Sequence, residues 1–140
     1  MLRSFVALAL LAVVALTGCA GQSTNSDSSG KFKGEQRLVA SAVEDFESAA
    51  SKGDQGKICS DLLAKELVAQ YARQGGSCDV AVDDALKNTD SFGLTVEKVT
   101  ITGAQAAVTV KADRGKKDIN EAMTLVKQGA GWRISAFKGR

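Results

Sequence analysis

The sequence predicts an α+β fold in which helices come first and an antiparallel β-sheet follows. The prediction rests on hydrophobic periodicity. Apolar residues recur every three or four positions from residue 35 to residue 87, as in helices, and every second position from residue 94 onward, as in strands. The length of the chain fits a single domain of this class, because 140 residues, 44% of them hydrophobic, suffice for one small domain and leave no room for a second.

Three helices are predicted in the first half of the chain. The first starts at Glu35 and ends before Gly53, with one apolar stripe formed by Val39, Ala42, Val43, Phe46, Ala49 and Ala50. Asp54 is the expected N-cap of a second helix, which ends before residues 75–76. Its inward-facing residues are Ile58, Leu62, Leu63, Leu67, Val68 and Tyr71. Ser77 caps a third, short helix over residues 78–87.

Four strands are predicted in the second half. The apolar residues of the first strand change phase after Val96, which indicates a β-bulge near Glu97 and Lys98. Gly103 begins a turn into the second strand, and a basic loop at residues 114–117 leads to the third. A glycine-containing turn at residues 128–131 joins the third strand to the fourth.

Residues 1–18 are predicted to be an export signal. A positive start is followed by twelve apolar residues, 5–16, fewer than the roughly 20 that span a bilayer. The segment Leu16-Thr17-Gly18-Cys19 resembles the bacterial lipobox, in which two small residues separate an aliphatic residue from cysteine. The resemblance implies that Cys19 carries a diacylglyceryl group and becomes the first residue of the mature lipoprotein. The alternative is an ordinary signal peptide with Cys19 near its cleavage point.

Residues 19–34 are then a lipidated cysteine and a flexible linker, because residues 20–34 contain four serines, three glycines and a single large apolar residue. Residues 35–140 form the folded domain. The expected location is the cell membrane, with the domain held by its lipid anchor on the extracytoplasmic face.

Lipidation of Cys19 leaves an even pair of cysteines, Cys59 and Cys78, in an oxidising compartment. We predict a disulfide between them. A reactive thiol or a zinc site is a weaker alternative, because two thiolates without histidine make a poor zinc site.

Composition excludes several function classes. The chain has no histidine, which removes the usual general base and imidazole metal ligand. The net charge of +2 gives no indication of a nucleic-acid partner. No phosphate-binding loop or metal-binding motif is present, so neither a metal nor another cofactor is expected. Charge is uneven: residues 35–90 carry eleven acids and six bases, whereas residues 91–140 carry nine bases and four acids.

Two interpretations of that asymmetry remain open. The bases near the strand ends form a rim for anionic lipid or an acidic partner, or the two halves pair with each other and with solvent. The six bases of this rim are Lys111, Arg114, Lys116, Lys117, Lys138 and Arg140.

The order of elements resembles the nuclear-transport-factor-like superfamily, the cone-shaped fold of ketosteroid isomerases and polyketide cyclases, and in particular its small versions in bacterial lipoproteins. The matching segments are Val43-Glu44-Asp45-Phe46, the Gly53-Asp54 turn, the Cys59 and Cys78 pair, and Gly131-Trp132-Arg133-Ile134. The resemblance implies a curved sheet that wraps the first helix, often with a pocket between them.

The residues expected at such a pocket are Phe46, Tyr71, Met123 and Trp132. No catalytic residue is assigned, because the acids of the first helix, Glu44, Asp45 and Glu47, lie on its polar side and two of the three are expected to face water. Core positions are favoured for both aromatic residues: Tyr71 is expected in the core with its hydroxyl at the rim, and Trp132 is expected to anchor the sheet.

The leading hypothesis is a non-enzymatic module that binds a small apolar ligand or an envelope protein. One alternative is an isomerase or dehydratase that uses a pocket acid and Tyr71. Another is a structural homodimer formed through the sheet, which a large exposed apolar patch would favour.

Overall fold

The computed structural model describes residues 28–89, 93–113 and 117–138. The predicted signal peptide and the lipidation of Cys19 lie outside these residues. A 3₁₀ turn (Ser29–Lys31) precedes four helices: α1 (Gly34–Ser51), α2 (Gln55–Lys57), which continues into a π-helical turn (Ile58–Leu62), α3 (Lys65–Arg73) and α4 (Cys78–Lys87). Four strands follow: β1 (Gly93–Thr102), β2 (Gln105–Asp113), β3 (Asp118–Gln128) and β4 (Gly131–Lys138).

The strands form one open antiparallel sheet in the order β1-β2-β3-β4. The predicted bulge in β1 is confirmed, because the pairing with β2 shifts between Val96 and Lys98. A second shift, in β3 between Thr124 and Leu125, was not predicted. The turns after β1 and β3 begin with Gly103 and Gly129, whose φ angles of 59° and 63° suit glycine.

One face of the sheet packs against α1 and builds the core. The apolar stripe of α1 is buried there, and the largest side chains with no more than 1% exposure are Ile58, Leu63, Leu125, Ile134, Val39, Val43, Val96, Val108 and Val110. This arrangement confirms the α+β class. None of the described helices is long and apolar enough to cross a bilayer.

The prediction of one continuous second helix is wrong. Asp54 does cap its start, with Oδ1 accepting from the backbone N–H of Lys57 at 3.0 Å. The helix breaks at Leu63, which forms a bridge with Ile134 of β4, and the N–H of Ala64 donates to the carbonyl of Ile134 at 2.8 Å. The chain therefore makes four helices instead of three, because Leu63 and Ala64, between the π-helical turn and α3, are extended and pair with the sheet.

Two residues of the predicted linker contact the folded part of the chain. Ser28 and Ser29 are each 7% exposed. The N–H of Val96 donates to Ser28 Oγ at 3.0 Å, and Glu44 Oε1 accepts from the N–H of Ser29 at 2.6 Å. Ser28 and Ser29 thus pack on the folded part of the chain, since they provide hydrogen-bond partners to the edge strand β1 and to α1.

Candidate functional site

A cavity of about 310 Å³ lies between the helices and one end of the sheet. Its apolar walls come from the second half of α1, from α3 and α4, and from the strands facing them. They include Phe46, Leu63, Tyr71, Val82, Leu86, Leu94, Met123 and Phe137. Phe46 and Phe137 contact each other, with ring centroids 5.4 Å apart. The cavity exists because α4 stands beside the sheet end without filling the space above β2 and β3.

Three of the four residues predicted at a pocket, Phe46, Tyr71 and Met123, line this cavity. Trp132 does not. Its indole N–H donates to Glu35 Oε2 at 2.8 Å, and Lys127 Nζ lies 5.9 Å from the centre of its ring. Trp132 is 6% exposed and anchors the start of α1 to the opposite end of the sheet, the sheet-anchor role that was weighed against a pocket position.

The Glu35 carboxylate at that opposite end is a structural group. Its pKa is lowered, first by the hydrogen bond from Lys127, at 2.9 Å, and then by the one from Trp132. Both donors stabilise the charged form of the carboxylate. Glu35 thus ties α1 to β3 and β4 and does not belong to the cavity.

The cavity wall that α4 provides was not predicted from the sequence. The helix itself was predicted, but which of its sides lines the cavity depends on the contacts that fix its orientation. The predicted disulfide between Cys59 and Cys78 is present, with Cα atoms 6.0 Å apart, and joins the π-helical turn to the first residue of α4. Gln55 adds a side-chain bond to Asp83 at 3.0 Å. Together they hold α4 beside the sheet end.

Two carboxylates line the cavity, and neither was predicted. Asp113, the last residue of β2, is exposed, and Glu121 of β3 is half-buried. Tyr71 lines the same cavity. An acid and a tyrosine in one pocket are the groups that the isomerase or dehydratase alternative requires. That alternative remains a prediction.

The expectation for the acids of α1 is wrong, because only Asp45 is exposed. Glu44 is half-buried and accepts from Ser28 and Ser29. Glu47 is 6% exposed, and its Oε2 has no hydrogen-bond partner among the described residues. Burial raises the pKa of Glu47; the N–H of Leu94 opposes this by donating to the carboxylate, and the charge of Glu44 adds to it.

Replacing Glu47 with glutamine is expected to stabilise the protein by about 1 kcal/mol at pH values above the raised pKa of Glu47, because the neutral amide avoids the cost of burying a charged carboxylate. The folded state binds the Glu47 proton more tightly than the unfolded state, whose pKa is near 4.5. The contribution of Glu47 to the stability of the native chain therefore falls as pH rises from 4.5 through its raised pKa, and Glu47→Gln removes that loss.

Urea unfolding of both proteins at a series of pH values measures this effect. The stability difference between Glu47→Gln and the native chain should be small below pH 4.5 and should grow above it. Asp45→Asn, an exposed substitution on the same helix, is the control and should show no such growth. A constant difference at all pH values would contradict the account.

The outer face of the sheet carries small and polar side chains, among them Thr100, Ala107, Thr109, Ala122 and Ser135. Within the described part of the chain, the large apolar residues that are exposed are Leu38, Val80, Ile119 and Phe137, on helices or at the cavity end of the sheet. The described outer face therefore gives the homodimer alternative no apolar patch. The described ranges also contain no group of three or more acidic or cysteine side chains placed to hold a metal ion.

No family model matches the chain, and no curated protein matches it in sequence. Among solved structures, it is similar to the solution structure of a SEC-C motif containing protein from Rhodopseudomonas palustris. The identity is 18% and the TM-score 0.54, over 71% of this chain and 76% of that one. It is also similar to a designed protein of the nuclear-transport-factor type, at 13% identity and a TM-score of 0.47, over 73% and 93% of the chains. The first likeness shows a shared fold alone, and the second is too low to carry an argument.

Proposed function

We propose that this chain is a lipid-anchored binding module of the nuclear-transport-factor-like type, held on the extracytoplasmic face of the cell membrane, whose cavity takes a small apolar ligand. The observation that carries the proposal is the cavity of about 310 Å³ with mostly apolar walls. Ligand sites in proteins are concave, mainly apolar and of at least this size. A packed core at this place would instead have favoured a role based on protein contacts alone.

The ligand class follows from the walls. Leu63, Leu94 and Met123 form a floor of buried apolar side chains, while the carboxylates of Asp113 and Glu121 stand among the lining residues. Such a site binds mainly by removing apolar surface from water, at about 25 cal/mol per Å². A polar group of the ligand would face the acids. The envelope-protein alternative has no comparable feature in its support.

A neutral fluorescent probe, N-phenyl-1-naphthylamine, tests the cavity. The residues of the buried core lie within 28–138, so a full mature chain with Cys19→Ser, exported by a conventional leader, retains the whole core without its anchor. We expect this chain to enhance the fluorescence of the probe. Ala81→Phe places a ring in the space that Ala81 now borders and should abolish the enhancement.

The matched control is Ala72→Phe, the same substitution at an exposed position of α3 outside the cavity. This variant should bind the probe like the parent chain. Circular dichroism establishes that both variants are folded. Equal probe binding by the Ala81→Phe and Ala72→Phe variants would overturn the assignment of the cavity as the ligand site.

A further inference from the structure

The cavity opens at one end of the sheet, which we call the mouth end. Its lining includes the first residues of β1, Gly93 and Leu94, the last of β2, Ala112 and Asp113, and Phe137 near the end of β4. The mouth end is thus the edge where β1 and β3 begin and where β2 and β4 end. The start of α1, with Glu35 and Trp132, lies at the other end.

Large apolar side chains are exposed around the mouth. Ile119 is 38% exposed and Phe137 is 43% exposed, and each belongs to a strand that starts or ends there. Phe137 is also a cavity wall, so apolar surface runs from the interior of the cavity to the outside. The rim of a cavity that faces only water is ordinarily polar. Exposed apolar surface that continues into a cavity therefore indicates contact with an apolar partner, such as a lipid surface.

Bases accompany these apolar groups. Lys117 and Lys138 are exposed beside Ile119 and Phe137 in the chain, while Lys111 pairs with Asp118 at 2.7 Å. Residues 114–116, between β2 and β3, add two bases and no acid to the sequence. Lys117 and Lys138 are thus the exposed bases of the described mouth end that carry no ion pair in common with Lys111. Exposed lysines of this kind favour an anionic surface.

The anchor is close enough to bring this end to the bilayer. Ser28 binds Val96, two residues along β1 from Leu94 of the cavity wall, a separation of about 7 Å in a strand. Residues 19–27 separate the lipidated Cys19 from Ser28 and extend to at most about 30 Å. The anchor point on the domain therefore lies beside the cavity wall, and a short chain connects it to the membrane.

From these observations we infer that the mouth end docks on an anionic lipid surface, with Phe137 and Ile119 in the interface and Lys117 and Lys138 at the headgroups. The ligand then enters the cavity from the bilayer and belongs to the membrane's own apolar molecules, in the form of an acyl chain. This inference rests on the proposed anchor and cavity, and adds the orientation of the domain and the source of its ligand.

Tryptophan quenching by brominated lipid tests the orientation. The lipidated mature protein is placed in vesicles of phosphatidylcholine and phosphatidylglycerol whose acyl chains are brominated near the headgroup. Phe137→Trp puts a reporter at the mouth, whereas the native Trp132 and a Gln105→Trp variant report from the opposite end of the sheet. We expect strong quenching of the tryptophan at position 137 and little quenching of the other two.

Charge reversal tests the lipid contact. In the anchor-free chain, Lys117→Glu with Lys138→Glu should lower affinity for the anionic vesicles by about tenfold. Arg37→Glu with Lys65→Glu, an equal change at exposed positions near the start of α1 and the start of α3, should leave that affinity unchanged. Vesicles of phosphatidylcholine alone should show little difference among the chains.

Equal quenching at positions 105 and 137, or equal loss of affinity in the two charge-reversed chains, would overturn the docking. Loss of N-phenyl-1-naphthylamine binding from solution is a separate result that bears on the cavity alone. The two failures are therefore distinguishable. Uptake of a pyrene-labelled fatty alcohol, which is neutral, from anionic vesicles should be slowed by the Lys117→Glu and Lys138→Glu changes, while its binding from solution stays the same. Unchanged uptake would argue against entry from the bilayer.

Discussion

Cys19→Ala is expected to move the protein from the membrane fraction to the soluble fraction. Two acyl chains on one cysteine are enough to hold a protein stably at a bilayer, since each buried methylene contributes about 0.8 kcal/mol. Alanine accepts no lipid, so the variant keeps the domain and loses the anchor. Fractionation, detergent partition and the mass of the mature N-terminus measure the result.

Asn25→Ala, a substitution in the same predicted linker, is the control and should stay in the membrane fraction. Native protein whose Cys19 thiol is free, or a Cys19→Ala variant that still partitions with the membrane, would contradict the lipoprotein assignment. The cavity and its probe would be unaffected by that result.

Removal of the Cys59–Cys78 disulfide is expected to cost about 3 kcal/mol of folding free energy. The bond closes a loop between residues 19 positions apart, and a cross-link of this size restricts the unfolded chain by about that amount. It also fixes α4, a wall of the cavity, to the π-helical turn. The double variant Cys59→Ser with Cys78→Ser should unfold at a urea concentration lower by about 2 M.

Reduction of the native chain by a phosphine should reproduce this shift, and the double variant should be insensitive to the same reductant. Probe binding should weaken in parallel, because α4 is then held mainly by packing and by the bond between Gln55 and Asp83. An unchanged urea midpoint after complete reduction would show that the cross-link adds nothing to stability.

Local signals in the sequence predicted most of the elements. Asp54 and Ser77 are N-caps as expected, with Ser77 Oγ accepting from the N–H of Val80 at 3.4 Å. The phase change after Val96 located the bulge of β1, and the glycines at 103 and 129 located two turns. Each of these features depends on residues a few positions apart, which is the range over which periodicity and capping act.

The cavity was predicted only in part. The family resemblance implied a pocket, and Phe46, Tyr71 and Met123, which were expected there, line the cavity. The contributions of Asp113 and Glu121 depend on where β2 ends and where β3 begins relative to α4, and the residue pattern within a strand does not determine that distance. Trp132 follows the same apolar phase as Met123 but lies at the other end of the sheet, so phase alone did not separate them.

The sequence by itself determined the class of fold, the pairing of Cys59 with Cys78 and the expectation of an anchored chain. The tertiary structure decided where backbone groups far apart in the chain find partners. Leu63 and Ala64 are extended because they pair with Ile134 of β4, and Ser28 packs on the domain because its Oγ accepts from the N–H of Val96. Glu47 is buried against β1 for the same reason. The edge strand has backbone N–H groups without a partner strand, and the N–H of Leu94 donates to the Glu47 carboxylate. Which N–H groups lack a partner depends on the order of strands in the sheet.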